Sequence, residues 1–181
     1  YFIVAHLHYV LFGGSLFALF GAITFWYPKM FGRMMNEFWG KVHFVLTFVF
    51  YNLVFFPMHQ LGLGGHMRRI YDPTQYDFLQ PMQPLNEFIS ISAFLLFASQ
   101  SIFALNFILS WFRGRKAEMN PWRDNGLEWT VPSPPPHGNF TATPRVYHGP
   151  YEFSSPLVEE DYLPQSRKVD PHQAAGSPAG H

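Results

Sequence analysis

Two histidines stand one residue apart in the opening stretch YFIVAHLHYV, whose other residues are almost all apolar. Successive residues of an α-helix turn by about 100°, so His6 and His8 would leave on nearly opposite faces, roughly 200° apart. Imidazole is a common axial ligand of haem iron, and this spacing suits two separate irons better than one shared metal. Histidines that bond to neighbouring helices fit the same spacing, so the pattern alone leaves both alternatives open.

The composition is that of a membrane protein rather than of a soluble domain. Of the 181 residues, 19 % are aromatic and only 13 % are charged, where a soluble domain carries about 25 % charged residues. The chain has no cysteine, which excludes disulfides, thiolate metal sites and cysteine nucleophiles. Its formal net charge of zero gives no reason to expect a nucleic-acid partner.

Three stretches are long and apolar enough to cross a bilayer, which takes about 20 residues of α-helix. They lie near residues 1–27, 38–56 and 85–112. Polar side chains within them fall on two helical stripes, which are His43, Thr47 and Tyr51, and Ser92, Ser99 and Asn106. Such stripes bond to other helices, because lipid cannot satisfy polar groups. The sequence therefore predicts an all-α membrane protein whose three transmembrane helices belong to a larger bundle.

Residues 1–116 form the predicted transmembrane part, and residues 117–181 form a Pro-rich tail without apolar periodicity. The tail cannot bury a core of its own. We therefore expect it to be irregular, to lie against the cytoplasmic face of the bundle, and to be extended or disordered after about residue 141. The connection after the first span and the start of the tail are both rich in Lys and Arg, which predicts that both are cytoplasmic.

An arginine pair, Arg68 and Arg69, occupies the connection that this topology places on the outer side of the membrane. Basic residues are biased towards the inner side, so the position of the pair needs a reason. From the residues alone, a contact with solvent or with lipid headgroups is the better interpretation.

Four stretches together resemble subunit I of the haem-copper oxygen reductases, the cytochrome c oxidase family. They are YFIVAHLHYVLFGG, KVHF, FFPMHQLGLGGHMRR and NPWRDNGLEWTVPSPPPHGNF, and they cover roughly residues 1–140. The His-x-His helix followed by the Arg-Arg loop, in this order, is a highly specific combination. The resemblance implies that the three helices are the last three of the twelve-helix bundle of that subunit.

The resemblance also implies roles for the four residues singled out above. His6 corresponds to the proximal ligand of the high-spin haem, where oxygen is reduced. His8 corresponds to one of the two axial ligands of the low-spin haem, which passes electrons on. Arg68 and Arg69 correspond to the pair that binds the haem propionates. Their outer location would follow because the haem carboxylates point to that side, and guanidinium forks match carboxylates. Both haems are expected to be of the A type.

Some positions depart from the family pattern or are expected to bind no iron. Met67 and Ile70 flank the arginine pair, where many relatives have Pro and Tyr, so a tyrosine beside the propionates is missing. We expect His43 and His59 to be structural or propionate-side polar groups. His66 could contact solvent or a propionate, and of these we expect solvent. None of these differences involves an iron ligand.

The function implied by the resemblance is that of a terminal respiratory oxidase. The chain would be the C-terminal segment of its catalytic subunit, which reduces O2 to water with electrons from cytochrome c and pumps protons. Copper B belongs to the full subunit, but its ligands are not in this chain, so the segment alone would be inactive. The implied partners are the other helices of subunit I, subunits II and III, cytochrome c and the lipid bilayer of a bacterial inner membrane. A quinol oxidase of the same family and a non-catalytic helical membrane protein are the alternatives.

Overall fold

The structure is a computed structural model that describes residues 1–153, 155, 156, 158 and 161–169. Its main helical elements are α1 (Phe2–Leu7), a π-helical segment (His8–Gly13), α2 (Gly14–Phe31), α3 (Glu37–Leu63) and α4 (Gln83–Arg113). The first three follow one another without a break. Short 3-10 turns lie at Pro73–Gln75, Asp77–Met82 and Leu127–Thr130. Among the described residues the only β pairing is an isolated bridge between Arg33 and Lys116, so the all-α prediction is confirmed.

Three helical stretches of the described residues are long and apolar enough to span a membrane, which confirms the three-span fold. They are Phe2–Phe31, Glu37–Leu63 and Asp77–Arg113, and each is longer than predicted. The helices continue past the predicted span ends at residues 27 and 56, because Pro28 and Pro57 lie inside them. Transmembrane helices tolerate proline, since neighbouring groups and local adjustments satisfy the freed carbonyl.

The chain divides into two compact units, of which the first comprises Tyr1–Phe25 and Met35–Gly114 and the second Trp26–Met34 and Arg115–His181. In the first unit α3 is central, because both α1 and α4 pack against it. Buried core residues of this unit are Ala5, Tyr51, Val54, Phe55, Met58, Leu61 and Ile89. Beside this apolar core, polar residues of α3 and α4 form hydrogen bonds between the two helices.

The predicted polar stripes of α3 and α4 bond to each other. The hydroxyl oxygens of Thr47 and Ser99 lie 3.2 Å apart, and Gln100 Nε2 donates to Thr47 Oγ1 at 3.1 Å. His43 Nε2 donates to Gln100 Oε1 at 3.2 Å. These groups are shielded from water, so the bonds between them fix the register of the two helices. His43 therefore bonds within the helix bundle, which agrees with a structural role, one of the two roles expected for it.

The start of α3 is fixed by a pair of asparagines. Asn36 caps the helix, because its side chain accepts a hydrogen bond from the Trp39 N–H at 3.3 Å. Asn106 of α4 bonds to both backbone groups of Asn36: Oδ1 accepts from the N–H at 3.2 Å and Nδ2 donates to the carbonyl at 3.0 Å. Ser110 Oγ donates to Asn106 Oδ1 at 3.0 Å and holds the amide in this orientation. One residue of the α4 stripe thus decides where α3 begins.

The second unit is irregular, but it buries side chains completely. Trp129 and Leu163 are almost inaccessible to solvent. Lys29 Nζ donates to the carbonyl oxygens of Met119 at 2.9 Å and Val131 at 2.6 Å, and it lies 4.9 Å from the centroid of the Trp129 ring. A single ammonium group therefore connects the end of α2 to two separate stretches of the Pro-rich chain.

Residues after 141 continue this packing. Asn125 is fully buried, its Oδ1 accepts from the Leu163 N–H at 2.9 Å, and its Nδ2 donates to the Glu152 carbonyl at 3.2 Å. Glu152 also pairs with His148 at 3.2 Å. The described part of 141–169 is irregular, as the sequence predicts, and these contacts show that it is also packed. The expectation of an extended or disordered chain for residues 170–181 lies outside the described residues.

Candidate functional site

His8 is the first residue of the π-helical segment, and one of its ring nitrogens is already engaged. Nδ1 lies 2.7 Å from the carbonyl oxygen of Val4. Because a carbonyl can only accept, Nδ1 carries the proton, and Nε2 keeps its lone pair. The ring is also stacked on Phe55 of α3, with centroids 4.4 Å apart and planes 15° from parallel. The orientation of His8 is thus fixed on two sides while Nε2 stays available to a metal, as for histidines that ligate metals in general.

An open-sided cavity with about 400 Å³ of space lies beside His8, on the outer surface of its own helix. Its walls are almost wholly apolar, and they come from one side of the helix that carries the histidine. The lining residues are Leu7, His8, Leu11, Phe12, Ser15, Leu16 and Leu19. A volume of this size falls in the range of small-molecule and cofactor sites, which are apolar with few polar groups. A large apolar ring system could lie against this wall, with His8 Nε2 available at the edge of the cavity to bind a metal at its centre.

His6 has different surroundings from His8. It lies in α1, its side chain is exposed, and it is not among the residues that line the cavity. No hydrogen bond or ring contact of His6 occurs in the part of the chain that the structure describes. The structure thus brings His8 against α3 and leaves His6 open to whatever lies beyond this chain.

The arginine pair lies in a tight turn after α3. Gly65 has φ +90° and Arg69 has φ +63°, a left-handed conformation that is unfavourable for a residue other than glycine. Both arginines are exposed, and neither has a hydrogen bond or ion pair with any described residue. Backbone strain of this kind often occurs at binding sites, where the surrounding structure maintains it. The turn thus presents two unpaired guanidinium groups.

The arginine turn lies next to the start of the histidine helix. The Tyr1 and His66 rings are 4.1 Å apart, and Phe2 meets His59 edge-on at 5.0 Å. Gly62 allows this approach, because a Cβ atom there would overlap the backbone of Phe2. Arg68 and Arg69 follow His66 by two and three residues. Tyr1, which contacts His66, immediately precedes the helix that carries the two histidines. Histidines and arginines are therefore brought into one region, although more than fifty residues separate them in sequence.

Two further histidines, His59 and His66, belong to this contact, and each has one ring nitrogen bonded to a backbone carbonyl. His59 Nδ1 donates to the Phe55 carbonyl at 3.1 Å. His66 is only 4 % exposed, and its Nδ1 donates to the Met67 carbonyl at 2.9 Å. The expectation that His66 faces solvent is therefore wrong, because the aromatic ring of Tyr1 covers it. A histidine in a glycine-rich polar loop gave no sequence signal of this burial.

Sequence reasoning also missed the backbone around His8. The π-helical segment has no recognisable sequence signature, and the straight α-helix assumed for the two histidines ends before His8. Tyr51 of α3 donates its hydroxyl to the His8 carbonyl at 2.6 Å. Its position on the stripe with His43 and Thr47 was the one available signal that it bonds to another helix.

The chemistry and orientation of the residues in this region fit a haem. An axial ligand needs a fixed imidazole with one nitrogen free, and His8 meets this requirement beside an apolar wall. Haem carboxylates need cationic donors, and the arginine turn offers two without partners.

The comparison with known protein families agrees with this geometry. The family described as Cytochrome C and Quinol oxidase polypeptide I matches residues 1–95, which include the two histidines and the arginine turn. This match covers more than half of the chain.

Individual relatives match over longer stretches. Cytochrome c oxidase subunit 1 of Synechocystis sp. is 48 % identical over 179 residues, which are 98 % of this chain and 31 % of that protein. Cytochrome c oxidase subunit 1 of Thermostichus vulcanus is 46 % identical over 84 % of this chain and 27 % of its own length. Alternative cytochrome c oxidase subunit 1 of Bradyrhizobium diazoefficiens is 41 % identical over 92 % of this chain and 29 % of its own length.

These matches extend the resemblance beyond the motifs, since the first of them includes the tail after residue 140. The chain spans less than a third of the length of each of these relatives. The resemblance seen in the histidine and arginine motifs is thereby confirmed: the chain belongs to the cytochrome c and quinol oxidase polypeptide I family.

Proposed function

We propose that this chain is the C-terminal segment of the catalytic subunit of a terminal respiratory oxidase. The full enzyme reduces O2 to water with electrons from cytochrome c and couples the reaction to proton pumping. The observation that carries the proposal is His8, whose Nδ1 is engaged by Val4 while Nε2 remains available beside an apolar cavity. Membership of the oxidase family supports the same conclusion. Copper B and its ligands belong to the rest of the subunit, so the segment alone is inactive.

In this proposal each histidine serves a different haem of the A type. His8 Nε2 would hold the iron of the low-spin haem, and His6 would hold the iron of the high-spin haem. When bound, the haems supply electron transfer and the binding of oxygen. The chain contributes orientation: the Val4 carbonyl sets the protonated nitrogen of His8, and Phe55 sets the plane of its ring. The exposed His6 is available to a group outside this chain.

Arg68 and Arg69 bind the haem propionates in the same proposal. Two guanidinium groups without partners in the described chain support this role, since forked N–H donors match carboxylates. The strained backbone of Arg69 supports a fixed direction for at least one of them. A change from Arg68 to Lys should then weaken haem retention, because it keeps the charge and loses the fork.

The partners follow from the exposed apolar surface of the helices and from the family. The remaining helices of subunit I, subunits II and III and the lipid bilayer cover the apolar faces that this chain leaves open, such as Phe94 and Phe97 of α4. Cytochrome c is the donor in the proposal because the relatives are named cytochrome c oxidases. The family description also includes quinol oxidases, so turnover with reduced cytochrome c and with quinol should be compared directly.

Replacing the two histidines one at a time in the full-length enzyme tests the proposal. We expect His8→Ala to remove the low-spin absorption and to stop electron delivery, because no other group replaces the axial ligand. His6→Ala should abolish carbon monoxide binding while the low-spin signal survives. The control is His43→Gln, which changes a buried histidine of the bundle that bonds to Gln100, and both haem signals should remain.

The non-catalytic alternative gives a different result in this experiment. Histidines that only hold helices together would lower stability alike in all three variants, without any selective spectral change. Retention of both haems and of identical spectra in His6→Ala and His8→Ala would contradict the proposed ligands.

The proposed location is a bacterial inner membrane with the tail in the cytoplasm. The chain has no cysteine of its own, so in a full-length enzyme whose other reactive cysteines have been replaced, single cysteines in this chain can report topology. Met67→Cys and Arg113→Cys are both at exposed positions outside or at the end of the spans. In intact cells an impermeant reagent should label the first and not the second. Labelling of both from one side would contradict the three-span topology.

A further inference from the structure

The helix that carries His8 changes its hydrogen-bonding pattern at that residue. From His8 to Gly13 the segment is π-helical, so its ladder bonds span five residues instead of four. Irregular ladders of this kind need a cause, such as a side chain that inserts among the backbone bonds. Tyr51 of α3 is such a side chain, because its hydroxyl donates to the His8 carbonyl at 2.6 Å. Tyr51 is buried, so little water competes for this carbonyl.

Gly13 provides the space that the hydroxyl occupies. A Cβ atom at this position would lie 2.6 Å from the Tyr51 hydroxyl oxygen, closer than two such atoms can approach. The next residue, Gly14, has nothing within 4 Å of the same hypothetical atom. Two adjacent glycines therefore differ in function, and only Gly13 is required by the tyrosine.

The ring of Tyr51 is itself held in place. It stacks on Phe12, with centroids 5.9 Å apart and planes 7° from parallel, and it packs against Phe55 at 5.0 Å. Phe55 is also the residue on which the His8 imidazole is stacked. One face of α3 thus holds both the backbone and the side chain of His8.

We propose that Tyr51 is a positioning residue for His8. Its hydroxyl keeps the segment from His8 to Gly13 π-helical, and Gly13 is glycine because any side chain would displace that hydroxyl. Without this bond the segment relaxes towards α-helical bonding, which changes the orientation of His8. The backbone part of this inference stands on its own, whereas its consequence for a haem rests on the proposed function.

Hydrogen exchange and absorption spectra of the full-length oxidase test the inference. In Tyr51→Phe we expect the amides of residues 8–13 to exchange about tenfold faster, the effect of losing one buried hydrogen bond. The low-spin haem band should shift or broaden while both haems are retained. Gly13→Ala should give the same two changes while Tyr51 itself is unaltered, because the added methyl group would displace the Tyr51 hydroxyl. If Tyr51→Phe fails to assemble, Gly13→Ala carries the test.

The chain offers a matched control for each variant. Tyr9→Phe removes a hydroxyl bond of similar length between the same two elements, 2.7 Å to Asn52 Oδ1, but its acceptor is a side chain. Gly14→Ala adds the same methyl group one residue later, in open space. Both controls should leave the exchange of residues 8–13 within about twofold of the unmodified enzyme.

Two results would overturn the inference. One is unchanged exchange and an unchanged band in both Tyr51→Phe and Gly13→Ala. The other is an equal change in the variants and in their controls, which would indicate a general loss of packing. Failure of the proposed function is a separate result, because His8→Ala would then keep the low-spin band. The exchange rates of Tyr51→Phe would still decide whether Tyr51 holds the segment.

Discussion

Two buried asparagines, Asn106 in the helical unit and Asn125 in the tail unit, can be compared directly. Asn106 is 5 % exposed and Asn125 is fully buried. Each bonds through both ends of its amide to backbone groups that are distant in sequence: those of Asn36, 70 residues away, and those of Leu163 and Glu152, 38 and 27 residues away. The two side chains make the same kind of contact in regions of opposite character.

The difference lies in how much backbone depends on each side chain. A helix satisfies its own N–H and C=O groups except at its ends, so Asn106 is needed only where α3 begins. The tail has no regular element around Glu152 and Leu163, so side chains must satisfy buried backbone groups there. A single asparagine therefore has a larger structural task in the tail than in the bundle.

The largest effect is expected for Asn125→Ala in the full-length subunit. The change leaves the Leu163 N–H and the Glu152 carbonyl without their partner, which should destabilise the tail by about 3 kcal/mol. Limited proteolysis should then cut residues 141–169 faster, while Thr141→Ala, at an exposed position, should have no effect. Equal cleavage of the two variants would show that the tail does not depend on this amide.

A smaller effect is expected for Asn106→Leu. The change removes the bonds to Asn36, but the remaining ladder of α3 stays intact, so the loss should be about 2 kcal/mol. Thermal unfolding in detergent measures it, with Leu105→Ala as the control at a position that is 58 % exposed. A loss larger than that of Asn125→Ala would reverse the comparison between the two regions.

Lys29→Met tests whether charge or packing holds the Pro-rich stretch. Methionine keeps most of the apolar stem but cannot donate to Met119 and Val131 or interact as a cation with Trp129. Because the ammonium is only half-buried, we expect about 1 kcal/mol of destabilisation. Faster hydrogen exchange at residues 127–132 would report it. Lys116→Met removes the same charge from an exposed side chain and should leave these amides unchanged.

The smallest effect is expected at Asp72, in the connection between α3 and α4. Hydrogen bonds from the Thr74 hydroxyl at 2.7 Å and the Thr74 N–H at 2.9 Å lower the pKa of Asp72 below its ordinary value. Because the folded pKa is the lower one, the carboxylate stabilises this turn above the ordinary pKa. That contribution is lost as the pH falls through the folded pKa.

An NMR titration of the Asp72 carboxyl measures this directly. Thr74→Val should raise the pKa of Asp72 towards its ordinary value, because the hydroxyl bond is lost while the backbone bond remains. Asp77→Asn removes a charge five residues further along the chain and serves as the control, which should leave the pKa of Asp72 unchanged. If the pKa of Asp72 does not change in Thr74→Val, the Thr74 hydroxyl is not the cause of the lowered pKa.

Some features of the site followed from the sequence because they depend on local composition. The three spans were predicted from long apolar runs, and the stripe from Ser92 to Asn106 was predicted from helical spacing. Helix ends were missed at Pro28 and Pro57, because proline stops a helix less strictly in a membrane than in water. The packed residues after 141 were missed because an irregular chain has no periodicity that could reveal burial.

The sequence by itself determined the class of the protein: an all-α membrane chain with two histidines one residue apart in the first span and an arginine pair after the second span. Hydropathy and spacing are properties of neighbouring residues, and neighbouring residues suffice for such conclusions. The tertiary structure decided which groups meet, namely Tyr51 with the His8 carbonyl, Tyr1 with His66, and Asn125 with Leu163. These contacts join residues 38 to 65 positions apart. They exist only once the packing of the helices and the tail has brought complementary donors, acceptors and rings within a few ångströms.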